Sequence, residues 1–382
     1  MASEKELKGR PGPACVVWEL TLACNLKCLH CGSTAGGRRA AELGPEEALR
    51  LCVDLAAAGT RGVALMGGEP LLRPDFLPIA RRVRELGMEL SVITNGTVVP
   101  AGIFAELAAL RPRAVAVSLD AASPELHDRI RGSAGAFAKT RDFMERCLAA
   151  GLPLSVITTV HKLNLKELPA LRELLRGRGI AWQVQTAGAE GGRFAGELLL
   201  SPEEFYSVGM FVEACRRDLR PEELAVIGAH DLGYHSLLLH NVSLYDKWEG
   251  CQAGTAVAGL RSDGTVLGCL AINDGRYAEG NVRERSFAEI WNSPGAFKYT
   301  RGFSPADLGP GCSGCEHGRA CRGGCSEMSL MKTGRLHNDP YCFFRIEKEL
   351  FPGELPGPAA RLLRRLAGRG PLAALARRFG GR

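Results

Sequence analysis

Cys24-Asn25-Leu26-Lys27-Cys28-Leu29-His30-Cys31 closes an apolar run, Cys15-Val16-Val17-Trp18-Glu19-Leu20. The run reads as a short buried strand. The loop behind it carries three cysteines at C-x3-C-x2-C spacing. Three thiolates this close can hold three irons of a cubic iron–sulfur cluster and leave the fourth iron without a protein ligand. A closed structural metal site uses all its positions, whereas a reactive one keeps a position open. An odd number of cysteines in one short loop also speaks against disulfide pairing. Zinc bound by the same thiols is the plain alternative.

Working outward, strands and helices alternate. Strands are predicted at 15–20, 62–66, 89–93, 114–118, 154–160 and 181–185. Helices are predicted at 45–58, 75–86, 101–110, 137–149 and 165–176, several of them stopped by glycine: Gly59, Gly87 and Gly151. Strands alternating with helices imply a parallel sheet with right-handed crossovers. Six such units are too few for a closed eight-stranded barrel, so a partial (βα)6 barrel in an α/β chain is expected. Ligands of such sheets bind at the carboxyl ends of the strands. The cysteine loop, Gly67-Gly68-Glu69-Pro70, Thr94-Asn95, Ser118/Asp120 and Gln183/Gln185 all fall there. Ser201-Pro202-Glu203-Glu204 reads as a capped helix start within a linker.

Seven further cysteines follow: Cys251, Cys269, Cys312, Cys315, Cys321, Cys325 and Cys342. Seven ligands exceed one four-coordinate site, and C-x2-C pairs are strong metal signals. Cys15, Cys52, Cys147 and Cys215 lie in apolar patterns and are expected in the core.

The chain has 382 residues and a net charge of +6. Residues 353–382 hold seven arginines and one acid, which leaves the rest of the chain neutral. Nothing in that balance argues for nucleic-acid binding. The basic tail reads as a solvated, partly helical extension, with a surface for an acidic partner or a membrane as its lesser reading. No apolar run is long enough to span a bilayer, and the first ten residues lack a signal-peptide core. A cytoplasmic protein is expected, and 14 cysteines in a reducing compartment point to metal ligation.

The cysteine loop, followed one βα unit later by Gly67-Gly68-Glu69-Pro70, resembles the signature of radical S-adenosylmethionine (SAM) enzymes. The second cysteine set, with Gly264 between Cys251 and Cys269, resembles their C-terminal SPASM extension. The resemblance implies a partial barrel (15–187), a linker region near the active site (188–250) and an auxiliary-cluster domain (251–345). An N-terminal extension (1–14) and the tail (346–382) flank them. It implies that Cys24, Cys28 and Cys31 hold a 4Fe–4S cluster whose open iron binds SAM, which is cleaved reductively to a 5′-deoxyadenosyl radical. Cys312, Cys315, Cys321 and Cys342 would hold an outer auxiliary cluster. Cys251, Cys269 and Cys325 would hold an inner one, with an open iron, another ligand or a different nuclearity.

For SAM itself, the backbone of Gly67, Gly68, Glu69 and Pro70 would take the amino group. Thr94, Asn95, Ser118, Asp120, Arg131 and Gln185 are candidate contacts to the rest of the molecule. His230 and Asp231, in a polar cluster with Tyr234 and His235, are candidate proton donors or acceptors. The resemblance further implies an oxidoreductase that oxidises or cross-links a ribosomally made peptide or small protein, served by a reductant such as a flavodoxin or ferredoxin. Leader recognition, if it occurs, is expected from a separate leader-binding protein or from the barrel itself, because only about fourteen residues precede the first strand and none reads as a leader-binding domain. Leu270 after Cys269 stands where the sulfatase-maturating branch has aspartate. Tetrapyrrole side-chain chemistry is the alternative substrate reading, and a non-catalytic zinc module the alternative class.

Overall fold

The computed structural model describes residues 12–350 apart from 189–192, 244–246 and 273. The tail beyond residue 350 and most of the N-terminal extension lie outside them. The ten strands among the described residues form one sheet in the order β10-β9-β8-β1-β2-β3-β4-β5-β6-β7. The six expected strands are β1 (Cys15–Glu19), β2 (Gly62–Met66), β3 (Glu89–Thr94), β4 (Ala114–Ser118), β5 (Leu154–Val160) and β6 (Ala181–Thr186), each parallel to the next. The parallel array does not stop at six. β7 (Ala225–Gly228) adds to β6, inside the stretch expected to be linker and helix, and β8 (Val257–Leu260) adds to the free edge of β1. Both are only four residues long, too short for periodicity to mark them. β9 (Thr265–Leu267) and β10 (Ala278–Asn281) continue antiparallel from β8.

One sheet face is packed under helices. Val16, Trp18, Val63, Leu65, Leu90, Val92, Val115, Val117, Val156, Trp182 and Val184 alternate along the strands and are buried. Each fully buried large side chain contributes about 1.5–3 kcal/mol. The covering helices include Pro45–Ala57, Phe76–Glu85, Ile103–Leu110, Ala136–Ala149 and Pro202–Asp218. Ser201 caps the last of these by accepting from Glu204 N, while Glu204 reaches back to Ser201 N. Cys52, Cys147 and Cys215 are buried on the helices, as core thiols should be. The opposite face carries small or polar residues, with Ser91, Ser118, Ser155, Gln183 and Gln185 partly exposed. That concave face, open at the strand carboxyl ends, is the floor of the site.

A helix absent from the sequence prediction, Pro124–Arg131, follows β4. Ser123 caps it by accepting from Leu126 N, and Gly132 ends it in a left-handed conformation. Its pattern is polar enough that period alone does not reveal it, yet it carries Arg131 to the cysteine loop.

The C-terminal helix Phe343–Leu350 crosses the expected limit between auxiliary-cluster domain and tail. Glu347, fully buried, accepts from Tyr206 Oη at 2.8 Å, from Ser236 Oγ and from Leu237 N. The carboxylate thus ties this helix to helix Pro202–Asp218 and to the 236–238 backbone. Glu347→Ala leaves the buried Tyr206 hydroxyl and the less buried Ser236 Oγ and Leu237 N without this acceptor, and a loss of roughly 1–3 kcal/mol is expected, read as a lower midpoint in denaturant unfolding.

Candidate active site and metal centres

β1 launches the cysteine loop, and the turn after β2 holds it in place. Gly68 N donates to Thr21 O at 2.7 Å and Glu69 N to Ala23 O at 2.8 Å. A Cβ on Gly68 would lie 2.2 Å from Ala23 O, and one on Gly67 2.3 Å from Thr21 O. Only glycine permits this approach. The Glu69 side chain is fully buried and accepts from Leu71 N, Asn95 N and Thr94 Oγ1 at 2.8–3.0 Å. Burial pushes its carboxyl up to about 7 against these three donors. Glu69 therefore clamps the β2 turn to the end of β3. Thr94 is engaged in that clamp, and the Asn95 amide turns toward Asn25 Oδ1 at 3.0 Å and Cys24 Sγ at 3.9 Å.

Each thiol of the loop receives an N–H. Leu26 N points to Cys24 Sγ at 3.4 Å, Arg131 Nη1 to Cys28 Sγ at 3.7 Å, and Ala35 N to Cys31 Sγ at 3.3 Å. Helix Pro124–Arg131 also takes Lys27 N on Arg131 O and Leu29 N on Ile130 O. Burial pushes the Cys24 thiol up to about 11, so iron binding there must displace a proton. Arg131 Nη2 pairs with Asp120 Oδ2 at 2.8 Å, both groups buried. Burial opposes the Asp120 charge, but Arg131 and then His30 outweigh it and hold the carboxyl below its usual range. His30 Nε2 lies 3.6 Å from the same oxygen, and burial lowers its pKa to about 4. Asp120 thus braces Arg131 and the loop histidine. Ser118 and Gln185 lie partly exposed at strand ends, and Gln185 Nε2 donates to Thr159 Oγ1 at 3.0 Å.

The second cysteine set divides in space. Cys312, Cys315, Cys321 and Cys342 line one cavity with Tyr234 and Asp339. Gly323 and Gly324, both at positive φ, pass so close to His337 and Asp339 that a Cβ would lie 2.3 and 2.7 Å from them. Asp339, absent from the sequence prediction, accepts from Tyr234 Oη at 2.7 Å and Cys325 N at 3.2 Å, and burial pushes it up to about 7. Cys251, Cys269 and Cys325 gather elsewhere. Cys251 and Glu327 both raise the pKa of Cys269 and of Cys325, behind the larger effect of burial. His230 Nδ1 lies 3.7 Å from Cys325 Sγ. Asp231 instead is buried, accepting from Thr186 N at 2.8 Å and from Thr186 Oγ1. Tyr299 Oη is buried without a hydrogen-bond partner beside Cys251 and Cys269. No pattern in the sequence marks Tyr299, and Glu327 is signalled only by standing two residues after Cys325.

The donor sets fit iron–sulfur clusters. Three thiols with N–H donors meet at one loop beside a glycine cradle, and four more face a single cavity. Residues 18–175 match the Radical SAM superfamily and residues 251–316 an iron–sulfur cluster-binding domain, SPASM. The chain is 32% identical over 352 residues to the AdoMet-dependent heme synthase of Methanosarcina barkeri, covering 88% of this chain and 98% of that protein. It is 30% identical over 340 residues to the mycofactocin maturase MftC of Mycobacterium ulcerans, covering 87% and 89%. The fold is shared with Streptococcus suis SuiB bound to its precursor peptide SuiA (TM-score 0.72, 17% identity, 88% of this chain and 77% of that one). It is shared also with anSMEcpe bound to AdoMet and a peptide (TM-score 0.66, 18% identity, 92% and 98%).

Gly68→Ala should displace the loop carrying Cys24. Iron content is expected to fall by one cluster with the circular dichroism unchanged. Cys312→Ala with Cys315→Ala should lose iron from the outer cavity and lower the thermal midpoint, since metal binding and folding are linked there.

Proposed function

The chain belongs to the radical SAM superfamily with a SPASM domain, and on that premise we propose that it abstracts hydrogen from a carboxylate-bearing tetrapyrrole side chain taken up at the open mouth of its barrel. It is an enzyme whose cofactors are SAM, a 4Fe–4S cluster and auxiliary iron–sulfur clusters. When bound, the cluster and SAM supply reductive cleavage of the S–C5′ bond and the hydrogen-atom abstraction that follows.

The chain's own residues place and enclose the reactants. We assign the iron to Cys24, Cys28 and Cys31, with Leu26 N, Arg131 and Ala35 N as donors to the three sulfurs. Such donors offset negative charge on a cluster and tune its potential. The Gly67–Pro70 turn presents backbone carbonyls suited to an ammonium group. Arg131, held by Asp120, keeps a planar cation beside the loop that suits a carboxylate. Ser118 and Gln185 offer hydrogen-bonding groups on the concave floor. The small residues of that floor leave room for a bulky substrate.

The observation that carries the substrate reading is a pair of exposed lysines, Lys162 beyond the carboxyl end of β5 and Lys332 in the last turn of helix Ser326–Thr333. Lys162 stands two residues beyond β5, after the buried His161, and its charge adds to burial in lowering the pKa of Lys332. Two neighbouring cations attract an anionic substrate. Identity to a heme synthase over 98% of that protein's length supports the same reading. Peptide or small-protein maturation is the second reading, favoured by the likeness to mycofactocin maturase. A flavodoxin or ferredoxin would supply electrons in either case. Among the described residues no helix is long and apolar enough to cross a membrane.

The test is anaerobic reconstitution with SAM and dithionite, quantifying 5′-deoxyadenosine. Wild type should form it, and the variant with Cys24, Cys28 and Cys31 changed to Ala should not, while retaining most of its iron. Added iron-porphyrin propionates should stimulate turnover more than short peptides. Lys162→Ala with Lys332→Ala should weaken that tetrapyrrole binding by about tenfold at low salt and less at high salt. Stimulation by peptide alone would replace the first substrate reading with the second.

A further inference from the structure

Three cysteines gather at the inner auxiliary site, and a four-ligand cluster needs one more donor. No fourth cysteine is present there; the remaining ones are helix-core thiols, Cys15 at the start of the interior strand β1, and the cysteines assigned to the other two sites. His230, Cys325 and Glu327 have potential ligand atoms that all lie within 4.8 Å of one another. Among the described residues this is the one such group of three or more. Neither cysteine loop packs its sulfurs that tightly, as suits thiols that serve different irons.

The 3.7 Å between His230 Nδ1 and Cys325 Sγ is close to the separation of sulfur and nitrogen on one tetrahedral ion, about 3.6 Å for bonds of about 2.3 and 2.1 Å. We infer that His230 is the fourth protein ligand of the inner auxiliary cluster and shares one iron with Cys325. An iron with two protein donors belongs to a two-iron cluster. Cys251 and Cys269 then take the other iron. The inference rests on residues 251–345 being an iron–sulfur domain and deepens that reading.

The surroundings agree. His230 directly follows β7 and Ala229, whose N–H donates to Val184 O at 2.9 Å, so the sheet fixes where the imidazole starts. Asp231, tied to Thr186, holds the other side of the same residue. Cys325 N is anchored on Asp339. Both donors therefore stand on restrained backbone, as a ligand pair requires. The partnerless Tyr299 hydroxyl beside Cys251 and Cys269 is placed to donate to sulfur at the all-cysteine end. Glu327 is the competing ligand. A carboxylate would add negative charge to a site that already holds three thiolates, whereas an imidazole adds none, which favours His230. In this role His230 is not a proton donor to substrate. Replacing a thiolate by an imidazole raises a cluster's reduction potential, which suits a site that accepts electrons.

The full chain carrying Cys24→Ala, Cys28→Ala and Cys31→Ala, which removes the SAM-binding cluster, is reconstituted with isotopically enriched iron and sulfide. It is then reduced in the absence of SAM and read by Mössbauer and pulsed EPR spectroscopy. A strong nitrogen coupling that changes with heavy-nitrogen histidine is expected, together with a two-iron spectrum. His230→Ala should lose the coupling and Glu327→Gln should keep it. His230→Cys should retain the iron, lose the nitrogen signal and lower the potential, which separates ligation from misfolding. No coupling, or only the weak coupling of an imidazole hydrogen-bonded to Cys325 sulfur, overturns the inference. So does coupling that survives in His230→Ala, or a four-iron spectrum at this site. Iron content unchanged by Cys251→Ala with Cys269→Ala would instead remove the inner cluster, and with it the underlying reading.

Discussion

β1 is hydrogen-bonded on both edges, to β2 on one side and β8 on the other. Everything else depends on that double pairing. The carboxyl end of β1 launches the first cysteine loop, while β8 belongs to the polypeptide that carries the second cysteine set. Glu19, at the end of β1 and buried, takes Arg39 on one side and Ser262 Oγ on the other, both at 2.9 Å. A buried carboxylate is tolerable only with such partners. One strand and one carboxylate therefore link two cysteine regions that lie more than two hundred residues apart in the chain.

Around that centre, the turn after β2 works by exclusion. Gly67 and Gly68 admit the Thr21–Ala23 backbone where any side chain would collide. Glu69 then locks the turn to β3, and Arg131 reaches the loop from the helix after β4. Three successive βα connections converge on three thiols. Rigidity of this kind is what a reactive site needs, since small displacements of reacting groups cost large factors in rate. The auxiliary region is built differently. Short helices and positive-φ glycines wrap its thiols, and Asp339 bridges between Cys325 N and the outer cavity. Cys321 and Cys325, with three residues between them, so stand beside one buried acid.

Much of the site was legible because its chemistry is local. The C-x3-C-x2-C loop, the C-x2-C pair and the Gly-Gly-Glu-Pro turn are contiguous, and strand–helix alternation is written in hydrophobic period. The core cysteines Cys52, Cys147 and Cys215 followed from apolar context alone. What escaped was short or contextual. β7 and β8 have four residues each, and their partners lie far away in the chain. Helix Pro124–Arg131 has a polar pattern, and its helical state depends on the Ser123 cap and on packing against the cysteine loop. In sequence Asp120 falls at the carboxyl end of a strand and Asp231 in a polar cluster of the linker, yet the structure sets both just beyond strand ends. Only packing shows that one braces Arg131 and the other Thr186.

The sequence by itself determined the α/β class, the two cysteine regions and the radical SAM chemistry they imply, because covalent spacing along a loop restricts which thiols can meet. Tertiary structure decided which distant groups complete each site. The extension of the parallel sheet to β7 and β8, the grouping of four cysteines around one cavity, and the approach of His230 to Cys325 depend on long-range pairing. Residues ninety-five positions apart have no local energetic signature of their contact. It exists only once the sheet has set β7 and the glycine-rich turn before Cys325 side by side.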